Sequence, residues 1–372
     1  MTLNTTPRGL LLAAALTLTL STPAAHAQSF GGGTPGDEPS ATAADEAGSP
    51  QELVEPALVL TGPPSGQLRT VVGLLDARNG RGATTLRALE RLLIEQPQVT
   101  SEIPGMLLAG DIGDGAAAVV ALALENTGTP QAQRALGAIA RDPRQRHMDR
   151  LRAVMASAGL DEPRDESIAD LWALASTRVD ERSTDVSNTA HLALGALAST
   201  LRTSAGGKPG RYEGLRGALT TTLATTGDPH ERSIVLLALG NAHDPRSSVD
   251  ILPHLEDELA PVRASAARAL GMVHDPSVAE PLALYLEREP RGAVRSALVR
   301  SMTRLPASDG TVRAVRTGLE QETHPVARAD MVSFLVENAD RVPDLDALLR
   351  HLRATDPSGA VREAALQGLA DR

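Results

Sequence analysis

The sequence predicts an all-α protein, an α-solenoid of about nine helix pairs. Three observations lead to this fold class. Alanine and leucine dominate, and the chain has only one Trp, two Tyr and two Phe, so it lacks the aromatic side chains that strands favour. Apolar residues recur at helical spacing from Gln67 to the end of the chain. Short phrases also repeat at intervals of about 30 to 45 residues, which is typical of stacked helix pairs.

The first 27 residues predict a secretory signal peptide. Arg8 precedes an apolar run over residues 9–20, and the small-residue end Ala25-His26-Ala27 places the cleavage site before Gln28. The apolar run is too short to span a bilayer, and no later stretch supplies about eighteen uninterrupted apolar residues. We therefore expect a periplasmic or secreted protein without a transmembrane segment.

Residues 28–66 predict a disordered acidic spacer. Gly, Pro, Ala, Ser and acidic residues dominate it, and its short apolar piece LVEPALVL offers too little apolar surface to offset the entropy of folding. The helical solenoid is expected to fill residues 67–372. A Gly-rich loop insert near 203–214 (TSAGGKPGRYEG) interrupts the solenoid and is a candidate hinge or binding loop.

The clearest repeat unit covers residues 261–286 (PVRASAARALGMVHDPSVAEPLALYL). Its first half has apolar residues at helical spacing, which predicts an amphipathic helix. Asp275-Pro276 predicts the turn into a second helix. Ser277 and Glu280 have the spacing of a capping box that would start this second helix.

The same phrases recur along the chain. ALG-x-x-HDP occurs twice, with His243 and His274 31 residues apart. No two histidines stand at the i, i+4 spacing of a helical metal site, so we interpret this pair as polar turn residues rather than as metal ligands or catalytic bases. Val262, Val294 and Val326, which begin successive first helices, fall 32 residues apart.

Composition and motifs argue against several classes of function. The net charge of −10 and the absence of a basic stripe exclude a nucleic-acid partner, and a chain without cysteine can form neither a disulfide nor a thiolate metal site. GDIGDG at 110–115 lacks the acids of a calcium loop, and GGKPG at 206–210 lacks the Ser or Thr of a P-loop. We therefore predict no catalytic, cofactor-binding or metal site and no enzymatic activity.

Four arginines form a candidate ladder along one surface. They stand at the start of successive first helices: Arg263, Arg295, Arg328 and Arg362. Two interpretations are open. The arginines either pair with acids of neighbouring turns, as a repeating unit would repeat its own salt bridges, or they present a row of charges to an anionic partner. The second interpretation makes them the candidate partner-facing residues.

The repeated phrases resemble those of HEAT-repeat proteins, including the short-repeat type also found in bilin lyases. Their order is similar to that of a second family, the vitellogenin-type large lipid transfer proteins. The segments that carry this resemblance are GTPQAQRAL (128–136), LALGALA (192–198), ERSIVLLALGNAHDP (231–245), the V-R-x-x-A units (261–297) and LEQETHPVARADMVSFLVENA (319–339). The resemblance implies the α-helical superhelix of that family, and it supplies no lipid-contact residue.

These observations predict a secreted or periplasmic, non-enzymatic scaffold that needs no cofactor and binds a protein partner on its curved surface. The alternative, implied by the resemblance, is a lipid-binding or lipid-transport module. A concave face that is mainly charged would favour a protein partner, whereas a broad aliphatic face would favour lipid.

Overall fold

The computed structural model describes residues 58–77, 82–204 and 209–370. Within these ranges the chain forms 18 α-helices and no β-strand, so the predicted all-α solenoid is confirmed. The predicted signal peptide and most of the predicted spacer lie outside the described residues. None of the described helices has the length and apolar character needed to cross a bilayer.

The helices alternate between two layers along the chain. The odd-numbered helices form one layer: α1 (Pro64–Ala77), α3 (Ile103–Ala109), α5 (Pro130–Arg141), α7 (Asp165–Ala175), α9 (Pro209–Thr225), α11 (Ser248–Ile251), α13 (Ala279–Arg288), α15 (Asp309–Gln321) and α17 (Leu345–Thr355). The even-numbered helices form the other: α2 (Ala83–Glu95), α4 (Asp114–Thr127), α6 (His147–Ala158), α8 (Glu181–Thr203), α10 (Pro229–Asn241), α12 (Ala260–Val273), α14 (Gly292–Met302), α16 (Pro325–Glu337) and α18 (Gly359–Ala370).

The core lies between the two layers and consists almost wholly of aliphatic side chains. One continuous hydrophobic cluster runs from Leu68 in α1 to Ala365 in α18. Phe334 is its largest fully buried side chain, and Leu239 of α10 is fully buried. Each helix pair therefore completes its burial against the next pair, as expected of an array whose units cannot fold alone.

Close approach between helices of the even-numbered layer depends on glycine. A Cβ atom added to Gly195 of α8 would lie 2.1 Å from the carbonyl oxygen of Ala238 in α10. At Gly240 and Gly271 it would lie 2.9 and 2.8 Å from a Cα atom of the following even-numbered helix. The backbones of α8, α10, α12 and α14 are thus in direct contact.

The odd-numbered layer is spaced more widely. A Cβ atom added to Gly310 of α15 would contact the side chain of Glu280 in α13. One added to Gly137 of α5 would contact the side chain of Asp170 in α7. In neither case does the backbone of a neighbouring helix come as close. Since even-numbered helices touch through backbone and odd-numbered helices through side chains, the array curves with the even-numbered helices on its concave side.

Two predicted boundaries are corrected. Helix α1 begins at Pro64 instead of Gln67, because proline suits the first turn of a helix. Helix α9 begins at Pro209, so the second half of the loop insert predicted near 203–214 is helical. Tyr212 in this half is buried, and residues 205–208 lie outside the described ranges.

The start of α13 also differs from its prediction. Asp275, not Ser277, provides the cap: its Oδ1 atom accepts hydrogen bonds from the Ser277 backbone N–H (3.0 Å) and hydroxyl (2.7 Å). Asp275 thereby caps a 3-10 turn over Pro276–Val278, and α13 begins directly after this turn.

The repeat spacing is corrected by one residue in α16. Val326 is 44% exposed, whereas Ala327 is fully buried. Ala327 directly precedes Arg328, as the buried Val294 directly precedes Arg295. The valine phrase of α16 therefore carries one additional residue, and the arginine marks the equivalent position more reliably than the valine does.

Candidate interaction surface

The structure places the four predicted ladder arginines in intramolecular contacts. The first three pair with an acid at the start of the following repeat: Arg263 with Glu289 (2.8 and 2.9 Å), Arg295 with Glu322 (both 2.5 Å) and Arg328 with Asp356 (2.6 and 3.1 Å). Arg362 of α18 donates instead to the carbonyl oxygens of Asp356 and Pro357.

The ladder residues also form hydrogen bonds with backbone groups of the turns between repeats. Arg295 donates to the carbonyl oxygen of Glu289 (2.9 Å), in the turn just before its own helix. The carboxylate of Glu289 accepts the backbone N–H of Arg291 (2.8 Å) as well as the guanidinium of Arg263. One acid therefore joins the start of one even-numbered helix to the start of the next.

Electrostatics favour the charged form of these acids. Burial alone would raise the pKa of Glu289 and of Glu322, but hydrogen bonds from Arg263 and Arg295, aided by backbone N–H groups, lower the pKa of both carboxyls overall. The ladder arginines thus neutralise buried carboxylates inside the protein. The geometry of Arg263, Arg295 and Arg328 supports the internal salt-bridge interpretation, and the partner-facing interpretation stays a prediction.

One member of the ladder escaped the sequence analysis. Arg232 of α10 pairs with Asp257 (2.8 Å) and donates to the carbonyl oxygen of Thr226 (3.2 Å), in the same manner as the later arginines. It precedes Arg263 by 31 residues. This interval, equal to that between the two HDP turns, was the signal that could have found it.

The concave side of the even-numbered layer carries a small apolar cluster of its own. Leu192 of α8 and Leu237 of α10 form it together with the partly buried Met155 and Ile234, separately from the main core. Leu192 and Leu237 are 3% and 6% exposed. We call these four residues the apolar groove.

Equivalent positions on the following helices carry arginine. Leu237 lies five residues after Arg232, and Arg268 of α12 and Arg300 of α14 lie five residues after their own ladder arginines. Both side chains are exposed. Arg300 binds Asp330 (2.9 Å), whereas Arg268 makes no ion pair within the described ranges. Partial desolvation by the neighbouring side chains, and then the charge of Arg300, lower the pKa of Arg268.

The two HDP histidines lie beyond the carboxyl ends of α10 and α12. His243 and His274 both adopt the left-handed conformation, with φ of 52° and 56°, which is uncommon for residues other than glycine. Their rings lie 5.5 Å apart, and the Nδ1–H of each donates to the carbonyl oxygen of Met272, at 2.8 and 2.6 Å. They are turn residues, as interpreted from the sequence.

Positive charge surrounds this histidine pair. Burial is the main cause that lowers the pKa of His243, and the nearby charges of His274, Arg202 and Arg304 lower it further, against a hydrogen bond to Met272 that raises it. We use the name cationic patch for these four residues: Arg202, His243, His274 and Arg304.

The other sequence candidates have structural roles. In the GDIGDG segment, Gly110 ends α3 in the left-handed conformation and the Gly113 N–H donates to the carboxylate of Asp76 (3.0 Å), which makes the segment a helix–helix turn. No group of three His, Asp or Glu side chains suited to a metal ion occurs among the described residues. A partly open cavity of about 10 Å³ near Leu107 and Asp149 has room for about one water molecule.

The fold and its repeated ladder define the class of protein, an α-solenoid of stacked helix pairs. The sequence profile of HEAT repeats matches residues 217–303, which covers the best-defined part of the ladder. The HEAT-type repeat predicted from the sequence is therefore confirmed there. A search of curated proteins finds no match.

Two solved structures are similar to the chain. A structure described as lipid–protein interactions in lipovitellin aligns with a TM-score of 0.53 at 17% identity, over 85% of this chain and 33% of that one. The chain thus spans a third of lipovitellin, and the likeness shows a shared superhelical fold, as the vitellogenin-type resemblance implied. Human deoxyhypusine hydroxylase in complex with glycerol aligns at 20% identity over 83% of this chain and 98% of that one, with a TM-score of only 0.23.

Proposed function

We propose that the chain is a non-enzymatic scaffold, secreted or periplasmic, whose concave face binds a protein partner. The observation that carries this proposal is that Arg268 and Arg300, on successive helices of the concave layer, are both exposed. Arginine is enriched at protein interfaces. The location is supported by the signal-peptide pattern of residues 1–27.

Site-specific photo-crosslinking tests the proposal. A photoreactive amino acid replaces Arg268 on the concave side or, as the control, Arg313, an exposed arginine of α15 in the odd-numbered layer. We expect one recurrent protein to be captured from an envelope extract through position 268 and not through position 313. The purified partner should then bind the wild-type chain and lose at least about tenfold in affinity for Arg268→Glu, because a like charge would face its acidic group.

Capture only of a second copy of the chain, or equal capture through both positions, would contradict the proposal. The same holds if the purified partner binds Arg268→Glu and Arg313→Glu with equal affinity. Matching thermal unfolding of the two variants excludes misfolding as the cause of a difference.

Lipid binding is the second candidate function, and the apolar groove is the observation that favours it. The shared superhelical fold with lipovitellin agrees with this candidate. Yet Leu192 and Leu237 are already covered by Met155 and Ile234, which leaves little exposed apolar area for an acyl chain. Protein binding therefore takes precedence. Extraction of natively purified protein with organic solvent decides the matter, since a lipid carrier should release stoichiometric lipid.

A further inference from the structure

One position of the repeat changes from aliphatic to polar in helix α8. This position lies four residues before Gly195, Gly240 and Gly271, the glycines at which an even-numbered helix touches the next one. It is occupied by His191 in α8, Leu236 in α10 and Ala267 in α12. All three side chains are buried, with exposures of 1%, 0% and 0%. The contact between α8 and α10 therefore contains an imidazole where the next two contacts have an aliphatic side chain.

Both ring nitrogens of His191 have a defined neighbour. The Nδ1 atom lies 3.1 Å from the carbonyl oxygen of Ser187, and the Nε2 atom lies 3.8 Å from Oε1 of Glu231 in α10. Because a carbonyl oxygen can only accept a hydrogen bond, Nδ1 carries the proton of the neutral ring. Nε2 is therefore the atom that gains a proton when the ring becomes charged, and Glu231 is too far away to form a hydrogen bond with it.

Two charged groups face the ring, and they act in opposite directions. Glu231 favours the protonated imidazole, whereas Arg178 of the turn between α7 and α8 opposes it. The carboxylate of Glu231 is already engaged, since it accepts the hydroxyl of Thr226 (2.6 Å) and lies 3.7 Å from Nη2 of Arg178. Trp172 of α7 meets the ring edge-on without a charge, and no charged group of α6 or α9 within the described chain acts on it. Glu231 therefore compensates a charged imidazole only in part.

The balance of these effects makes His191 acid-sensitive. Desolvation by burial is the largest effect, and together with the charge of Arg178 it lowers the pKa of His191, against the hydrogen bond to Ser187 and the charge of Glu231, which raise it. The stability that such a histidine contributes is fully present above its unfolded pKa of about 6.5. This stability is lost as the pH falls, because protonation is less favourable in the folded state.

The contact between α8 and α10 also lacks a buried ladder pair. Ser187 of α8 occupies the position that Arg232 and Arg263 have in α10 and α12, eight residues before the contact glycine. Arg178 replaces the ladder arginine, donating to Asp228 (2.6 Å) and to the hydroxyl of Ser187 (3.2 Å). The side chain of Asp228 is 48% exposed, whereas the acids of the later ladder pairs are nearly fully buried. Water therefore screens the ion pair that joins these two helices.

We propose that the contact between α8 and α10 is an acid-sensitive joint of the solenoid, with His191 as the group that senses acid. In mild acid this joint opens by local unfolding, and the parts of the array on its two sides lose their fixed relative orientation. The inference concerns the free chain and does not depend on the proposed partner, so the two can fail separately.

Hydrogen exchange of the full chain at about pH 7.5 and about pH 5, expressed as protection factors, provides the test. Protection in α8 and α10 should fall at least about fivefold at the lower pH, whereas protection in α16 should stay constant. A local measurement is needed because Glu125 of α4, whose pKa is raised, has the opposite pH dependence.

His191→Leu introduces the residue of the equivalent α10 position and should remove the fall in α8 and α10. The matched control, His351→Leu at an exposed histidine of α17, should leave the fall unchanged. Glu231→Gln keeps the test valid if His191→Leu unfolds: it removes the charge that favours the protonated ring, so the fall should become larger. Constant protection of α8 and α10 in the wild type, a fall of equal size in His191→Leu, or a smaller fall in Glu231→Gln would each overturn the proposal.

Discussion

At the scale of single residues, most buried carboxylates of the described chain are closely compensated by arginine, and the half-buried Glu125 is not. Glu125 of α4 packs against Gly159 at the end of α6 and makes no hydrogen bond or ion pair with the described residues. Burial and the neighbouring charge of Asp161 raise its pKa to about 7. Ionisation of this carboxyl near neutral pH therefore opposes folding.

Glu125→Gln should stabilise the protein at pH 8 by about 2 kcal/mol, since one pKa unit corresponds to about 1.4 kcal/mol and partial exposure screens the effect. Because the pKa is raised on folding, wild-type stability is lost as pH rises from about 4.5 to 7. The gain of the variant should vanish near pH 4. Urea unfolding at both values measures it. The exposed Glu363→Gln in α18 is the control, and an equal gain there would refute the assignment.

At the scale of helices, glycine has different roles at different positions. Gly195 permits the backbones of α8 and α10 to touch, whereas Gly217 in the exposed face of α9 has no atom near its missing side chain. The first glycine is required by packing. The second only lowers the helix propensity of its segment.

Gly195→Ala should therefore destabilise the fold by about 3 kcal/mol, because α8 and α10 must separate to admit the methyl group. Gly217→Ala should instead stabilise it by up to about 1 kcal/mol through helix propensity. Chemical unfolding of both variants under one condition provides the comparison. If the two substitutions have the same sign, the close approach of α8 and α10 is wrong.

Sequence periodicity predicted the helical architecture because every repeat must bury an apolar stripe, and the same stripe appears in each unit. It could not assign the ladder, since Arg295 and Glu322 are 27 residues apart and meet only when two repeats stack. Nor could it show which side chains share the concave surface. Leu237 and Arg268 occupy equivalent repeat positions with opposite polarity, and only the curvature of the array places both on one face.

At the scale of the whole molecule, one continuous core links all the helix pairs, so damage in the middle should spread along the array. Leu239 is fully buried in α10, whereas Leu284 of α13 is 61% exposed. Neighbouring repeats stabilise each other through their interfaces. The central repeats are therefore the ones that hold the two ends of the array together.

Leu239→Asp should unfold at least the repeats around α10, because burial of an unpaired carboxylate costs several kcal/mol. Hydrogen exchange should show lost protection from α8 to α12, and the thermal transition should fall or split. Leu284→Asp introduces the same change at an exposed site and should leave both measurements nearly unchanged. An unaltered melting curve for Leu239→Asp would show that the core face is assigned wrongly.

The arginine ladder also bears on how such an array changes length in evolution. Each central unit carries an acid for the arginine of the preceding unit and an arginine for the acid of the following one. Duplication or deletion of a whole unit therefore leaves every buried charge neutralised at the new junction. Insertion of half a unit would leave a buried acid or arginine without its partner. The ladder thus favours duplication or deletion of complete helix pairs over changes of any other length.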